Sequence, residues 1–214
     1  MEIKRFINAP VSSNCYVLYD KLVDECCVVV DPGTKDCAEL LSFLDNEHLS
    51  PEYIMLTHEH FDHVWGSNLL RDKYGAKIVC SYVCAQKIGK PQNYFNLLYY
   101  NDITNFQIKG VDIIVEDIHY FLRWHNLLFS FIITPGHSSS SICVECDNYL
   151  FSGDTVMLNY KPFIKKRHEG SWEEFVDSLK KIFNSYSMNT LVYPGHGDCF
   201  RLGEVKNQYS EYLK

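Results

Sequence analysis

The chain lacks any apolar run near the roughly 18–20 residues of a membrane helix, which argues against a spanning protein. The N-terminal Met1-Glu2-Ile3-Lys4-Arg5 has no apolar stretch behind a basic start, so no signal peptide is expected and a soluble, cytoplasmic protein without a membrane partner is. There are no low-complexity tracts and no repeats at a fixed short period, which sets aside linkers, solenoids and disordered binding tails. Excess positive charge is also missing. The formal net charge is −7 and would stay negative with two divalent cations bound, giving no general attraction for nucleic-acid phosphates. One basic run exists, Lys161 to His168; it reads equally as a solvated loop or as a local greeting for an anionic substrate.

The nine cysteines are an odd number in a chain of 214 residues, too large to need disulfide staples, so reduced and mostly buried thiols are expected. Cys143-Val144-Glu145-Cys146 has C-x-x-C spacing. It lies in a β-like run and has no second pair, so core packing is preferred to a redox or zinc role. At 46% hydrophobic the chain can bury a full core, and its length fits one domain, 1–214.

Strand and helix signals alternate in the first third. Cys15 to Tyr19 and Cys26 to Val30 are β-rich runs on either side of a polar turn, and Asp31-Pro32-Gly33 closes the second. Asp36 to Asn46 has helical periodicity, Tyr53 to Leu56 is a short strand, and Trp65 to Tyr74 reads as a helix stopped by Gly75. The aromatic run Tyr94 to Asn101 is hard to assign. Further on, Val111 to Val115, Leu127 to Ile133, Ser141 to Glu145, Tyr149 to Phe151 and Thr190 to Tyr193 read as strands. Trp172 to Phe183 is an amphipathic helix, and Glu204 to Leu213 is expected to be a last one.

What is most specific is Thr57-His58-Glu59-His60-Phe61-Asp62-His63, an H-x-H-x-D-H spacing that begins as a strand ends. His137, Asp154 and His196 each follow a predicted strand too. Seven imidazoles and carboxylates at strand ends are enough for two divalent metal ions, zinc or else iron or manganese. His58 and His60, two apart, can address one ion; Asp62 and His63 can address a second. A carboxylate has two oxygens to share, so Asp154 is the natural bridge. Two such ions stand roughly 3.5–4 Å apart with a water between them whose pKa falls to about 7, making a bridging hydroxide available. The remaining histidines, His48, His119, His125 and His168, have no such company; His168 borders the basic run.

With these motifs in place the chain resembles the metallo-β-lactamase superfamily, and most closely its glyoxalase II-type branch. The likeness runs through Asn14-Cys15-Tyr16-Val17, Val29-Val30-Asp31-Pro32-Gly33, Thr57 to His63, Thr134-Pro135-Gly136-His137-Ser138, Phe151-Ser152-Gly153-Asp154-Thr155 and Tyr193-Pro194-Gly195-His196-Gly197, in family order. It implies an α/β fold, the four-layer αβ/βα sandwich. It also implies His58, His60 and His137 at a first metal, Asp62, His63 and His196 at a second, Asp154 bridging, and Asp62 as the catalytic residue that orients the attacking hydroxide.

The secreted lactamases' cysteine ligand is missing, and only 18 residues follow His196, so the glutathione-binding helical region of glyoxalase II is expected to be absent. The implied activity is hydrolysis of a thioester, ester or lactone of a small molecule. The alternatives are a mononuclear iron persulfide dioxygenase, a ribonuclease-type hydrolase, which the acidic balance disfavours, and a non-enzymatic relative. Tyr94 to Tyr100 reads better as core or dimer contact than as substrate wall; pairing into a homodimer is left open.

Overall fold

A computed structural model describes residues 1–116, 120–166 and 169–214. His119 and the end of the basic run, Arg167 and His168, lie outside the described residues. No helix among the described residues is long and apolar enough to cross a membrane. The chain forms two compact units, Met1–Ile114 and Val115–Lys214.

In the first unit the strands β1 (Glu2–Ile7), β2 (Asn14–Tyr19), β3 (Cys26–Val30), β4 (Ser50–Met55), β5 (Lys77–Ser81) and β6 (Ile113–Val115) form one sheet in that order. The pairs β1–β2 and β2–β3 are antiparallel, β3–β4 and β4–β5 parallel. Every residue of β2 is buried, as its unbroken apolar run predicts, whereas the charged β1 is an edge. Between the parallel strands run α1 (Ala38–Glu47), α2 (Phe61–Val64) and α3 (Ser67–Tyr74). Leu40, Leu44 and Leu70 pack on Val17, Val29, Ile54 and Ile78 in one apolar cluster.

The helix expected from Trp65 to Tyr74 is interrupted. Its second part is α3, which Gly75 stops in the left-handed conformation with φ 74°. The break is at Gly66, whose N–H bonds to the Pro32 carbonyl at 2.7 Å. The Asp62 carbonyl, its helical partner, instead accepts from Asn8 Nδ2 (3.3 Å) and Ser13 Oγ. A Cβ at Gly66 would lie 2.1 Å from Cys37 Sγ, so only glycine allows this approach. The stretch from Lys77 to Tyr100 had no clear sequence assignment: β5 runs straight into α4 (Tyr82–Ile88), with Ser81 Oγ accepting from the Cys84 N–H, and Tyr94–Tyr100 is a helix, α5.

In the second unit β7 (Phe121–Trp124), β8 (Leu127–Ile133), β9 (Ile142–Cys146), β10 (Tyr149–Gly153), β11 (Leu191–Pro194) and β12 (Phe200–Arg201) make the other sheet, ordered β12-β11-β10-β9-β8-β7. β8 and β10 are both antiparallel to β9, and β10 is parallel to β11. The C-terminal ends of β8, β10 and β11 therefore emerge on one edge. The helix α6 (Trp172–Ser185) starts at the Ser171 cap and buries Phe175, Ser178, Leu179 and Ile182 against Cys143, Leu150 and Val192.

The final helix expected over Glu204 to Leu213 is not formed. A short 3-10 helix, Leu202–Val205, is followed by turns. Side chains hold this segment down: the Tyr209 hydroxyl accepts from the Met157 N–H at 3.0 Å, and Gln208 Nε2 donates to the Met157 and Tyr160 carbonyls. Those anchors override a helical periodicity too short to stand alone.

Candidate metal centre

In the first unit the H-x-H-x-D-H run starts three residues after β4 and turns into α2. Asp62 and His63 sit on that single helical turn, while His60 precedes it in extended backbone. The spacing brings the rings together. His58 and His60 have centroids 4.6 Å apart, His58 and His63 4.2 Å, and His63 Nε2 is 3.6 Å from Asp62 Oδ2. His58, Asp62 and His63 are buried. Glu59, between the first two histidines, is engaged with Lys87 on α4 at 2.7 Å.

Asp31, which the sequence places in a turn and in one of the family-like stretches without a role at the site, organises this cluster. Its carboxylate is 2% exposed. Oδ1 accepts from the Thr57 N–H at 2.8 Å, and Oδ2 accepts from the Thr57 hydroxyl at 2.6 Å and from His63 Nδ1 at 2.9 Å. The Thr57 hydroxyl spends its one hydrogen on Asp31, so at 3.0 Å it accepts from His58 Nδ1. One carboxylate thus fixes both tautomers and leaves Nε2 of His58 and of His63 as the ring nitrogen available to a metal ion, the arrangement that metal-binding imidazoles use. Asp31 lies in Val29-Val30-Asp31-Pro32-Gly33; a carboxylate closing an apolar β-run, within a family-like stretch, was the sequence signal available.

The second unit places His137, Asp154 and His196 on the edge where β8, β10 and β11 end. Asp154 Oδ2 lies 3.4 Å from His137 Nε2 and 3.6 Å from His196 Nε2. The two imidazoles converge on a single carboxylate oxygen, as a bridging role for Asp154 requires. His137 Nδ1 donates to the Phe163 carbonyl at 2.9 Å, again leaving coordination to Nε2. The basic run thereby touches the cluster through its backbone, while Lys161, Lys165 and Lys166 are exposed. Gly136 has φ 137°, and a Cβ there would sit 2.3 Å from Phe175 Cα; no other residue lets the His137 loop pass α6. A Cβ on Gly197 (φ 79°) would lie 2.9 Å from Tyr160 Cε2.

No cysteine belongs to the groups of His58, His60, Asp62, His63, His137, Asp154 and His196 that could hold a metal ion. All nine are free thiols, and seven are buried. Cys143 packs among Leu150, Leu179 and Val192, and burial pushes its thiol up to about 11 and that of Cys146 up to about 12. The C-x-x-C pair is core.

A family model described as the metallo-beta-lactamase superfamily matches residues 8–196. The chain belongs to this superfamily. Among curated superfamily members, a hydroxyacylglutathione hydrolase of Klebsiella pneumoniae is 31% identical over 170 residues, 79% of this chain and 57% of that protein. The chain thus spans little more than half the length of that relative. A probable polyketide biosynthesis zinc-dependent hydrolase, PksB, of Bacillus subtilis is 26% identical over 85% of this chain and 72% of that one. The crystal structure of the BLEG-1 B3 metallo-beta-lactamase aligns over the whole of both chains, with a TM-score of 0.82 and 24% identity, a likeness of fold. The α/β metallo-β-lactamase fold expected from the sequence is the one found, and the expected resemblance to glyoxalase II-type proteins agrees with the similarity to the hydroxyacylglutathione hydrolase.

Proposed function

We propose that this superfamily member is a metal-dependent hydrolase that cleaves a thioester or another activated ester or lactone of a small molecule. The observation that carries the reading is the donor set: five imidazoles and two carboxylates gathered at strand ends, with Nδ1 of His58, His63 and His137 tied to protein acceptors. Nitrogen and oxygen donors without a thiolate fit zinc, and also iron or manganese. Following the family pattern, His58, His60 and His137 would hold one ion, and Asp62, His63 and His196 a second. Asp154 would be shared, supported by its one oxygen facing both His137 and His196. Zinc is favoured by the Bacillus relative, which is named as a zinc-dependent hydrolase. When bound, the ions supply Lewis acidity and bring a coordinated water's pKa to about 7.

The chain's own residues do the rest. Asp62 would accept a hydrogen bond from the attacking water at Oδ2 and turn its lone pair toward the carbonyl carbon. Asp31 and the Phe163 carbonyl keep three imidazoles in one tautomer throughout turnover. The net charge of −7 supports a small-molecule substrate over nucleic acid, and the free thiols support a reducing, cytoplasmic setting.

The test begins with elemental mass spectrometry of tag-free protein purified without chelator, followed by a thioester and lactone panel. Two zinc ions per chain and metal-dependent turnover are expected. Asp62→Ala should lower kcat by about 10²–10⁴-fold in a chain that stays folded. One iron per chain with persulfide-dependent oxygen uptake, or no metal-dependent hydrolysis across the panel, would refute the proposal.

A further inference from the structure

The helical turn that carries Asp62 and His63 is held from outside itself. α2 has four residues, too few to fix its own backbone. The Asp62 carbonyl belongs to the peptide that joins Asp62 to His63. A continuous helix would send it the Gly66 N–H, which goes to Pro32 instead. The loop between β1 and β2 takes that place. Ser13 Oγ donates to the Asp62 carbonyl, and Asn8 Nδ2 approaches the same oxygen at 3.3 Å. Gly33 closes in from a third side, where a Cβ would fall onto this oxygen.

Both side chains are buried, and their hydrogens can be assigned. Asn8 Oδ1 accepts from the Thr34 N–H and from the Thr34 hydroxyl, each at 3.2 Å. A flipped amide would set its NH2 against that N–H, so Nδ2 faces the other way, toward Ser13 Oγ at 2.9 Å and the Asp31 carbonyl at 3.1 Å. A serine hydroxyl has one hydrogen. Ser13 Oγ accepts from Asn8, so its own hydrogen is directed at Asp62. Asn8 thereby reaches the backbone of Asp31, whose carboxylate orients His58 and His63. It reaches Asp62 as well, both directly and through Ser13.

Apolar residues of the same shape would fill this space equally well; the hydrogen bonds add direction. We infer that Asn8 and Ser13 are positioning residues of the candidate metal centre. They fix the plane of the peptide after Asp62, and with it ψ of Asp62 and φ of His63, so that both side chains extend toward the metal ion. A misplacement of about 1 Å can cost about 10²-fold in rate. The part played through Asp62 rests on the hydrolase reading, whereas the part played through His63 rests on metal binding alone.

Ser13→Ala tests this on the whole chain, with zinc affinity measured by chelator competition as the first readout. One of two zinc-binding steps should weaken about 10–100-fold, with the other unchanged. On a substrate that the wild type hydrolyses, kcat should fall by about 10–100-fold with KM unchanged. Asn8→Asp should act in the same direction, because its carboxylate draws the Ser13 hydrogen away from Asp62. If its buried charge prevents folding, Ser13→Ala decides alone. A wild type that binds zinc but hydrolyses nothing refutes the hydrolase reading, and the zinc titration then judges the positioning role. A folded Ser13→Ala variant with both zinc steps and kcat as in the wild type overturns the inference. Equal weakening of both zinc steps beside a lower Tm overturns it too, since a merely structural role does that.

Discussion

Asp31→Asn removes one charge and almost no volume, which makes it the sharpest probe of the ligand-orienting network. Asp31 has φ 52°, a left-handed conformation asparagine also accepts, so the backbone stays unstrained. The carboxylate receives three hydrogens: the Thr57 N–H, the Thr57 hydroxyl and His63 Nδ1–H. An amide has one acceptor oxygen. Placed at the Oδ2 position it keeps two of the three bonds and turns its NH2 against the Thr57 N–H. Placed the other way it turns the NH2 against His63.

Either arrangement strands one buried donor, at about 1–3 kcal/mol. Removing a buried charge offsets part of that in the metal-free protein. The net loss is then about 1–2 kcal/mol, or roughly 2–8 °C in Tm for a chain of this length. Metal binding gains no such offset, because the carboxylate both orients His63 and raises its basicity. A 10–100-fold loss of affinity is expected there. The assay is competitive titration with a zinc chelator, alongside calorimetry of the metal-free protein. Affinity within threefold of wild type, with the variant folded, would refute the role given to Asp31.

Gly136→Ala should be among the most damaging single changes, since the new methyl group meets Phe175 backbone at 2.3 Å; a loss above about 3 kcal/mol is expected by chemical denaturation, and a neutral result would refute the close packing. Thiol titration of the native protein at pH 8 should detect at most Cys26 and Cys199, the two partly exposed thiols, with the other seven reacting only after unfolding; burial raises Cys37 to about 12, as it does Cys146. Asp102 is held down to about 2, first by the Thr104 backbone N–H and then by Lys35. Because its folded value lies below the ordinary 3.8, its contribution to holding the loop after α5 is complete above that pH and is lost as pH falls through 2. A carboxyl NMR titration with a midpoint near 3.8 would contradict this.

The metal-ligand residue types and their spacing were legible in the chain because short-range geometry suffices for them. His58, His60, Asp62 and His63 are near neighbours in sequence, and one helical turn after β4 necessarily groups them. His137, Asp154 and His196 were legible for a different reason: each follows an apolar β-run, and strands ending together deliver their next residues to one edge. The cysteines, too, could be assigned to the core from number and context.

Tertiary structure decided what depends on partners distant in sequence. Which nitrogen His58, His63 and His137 offer is set by Asp31, 32 residues from His63, and by the Phe163 carbonyl, 26 residues from His137. Periodicity carries no trace of either. The break at Gly66 follows from a carbonyl at Pro32, and the loss of the last helix from anchors at Met157 and Tyr160. Which side of α5 faces inward is set by Phe95 and Tyr99 stacking on Phe61 and by Asn96 bonding to the Thr104 carbonyl, because seven residues rich in aromatics have no polar face to orient them. Local pattern specifies which groups are available; the order of strands in each sheet and the hydrogen bonds between distant segments specify what those groups can do.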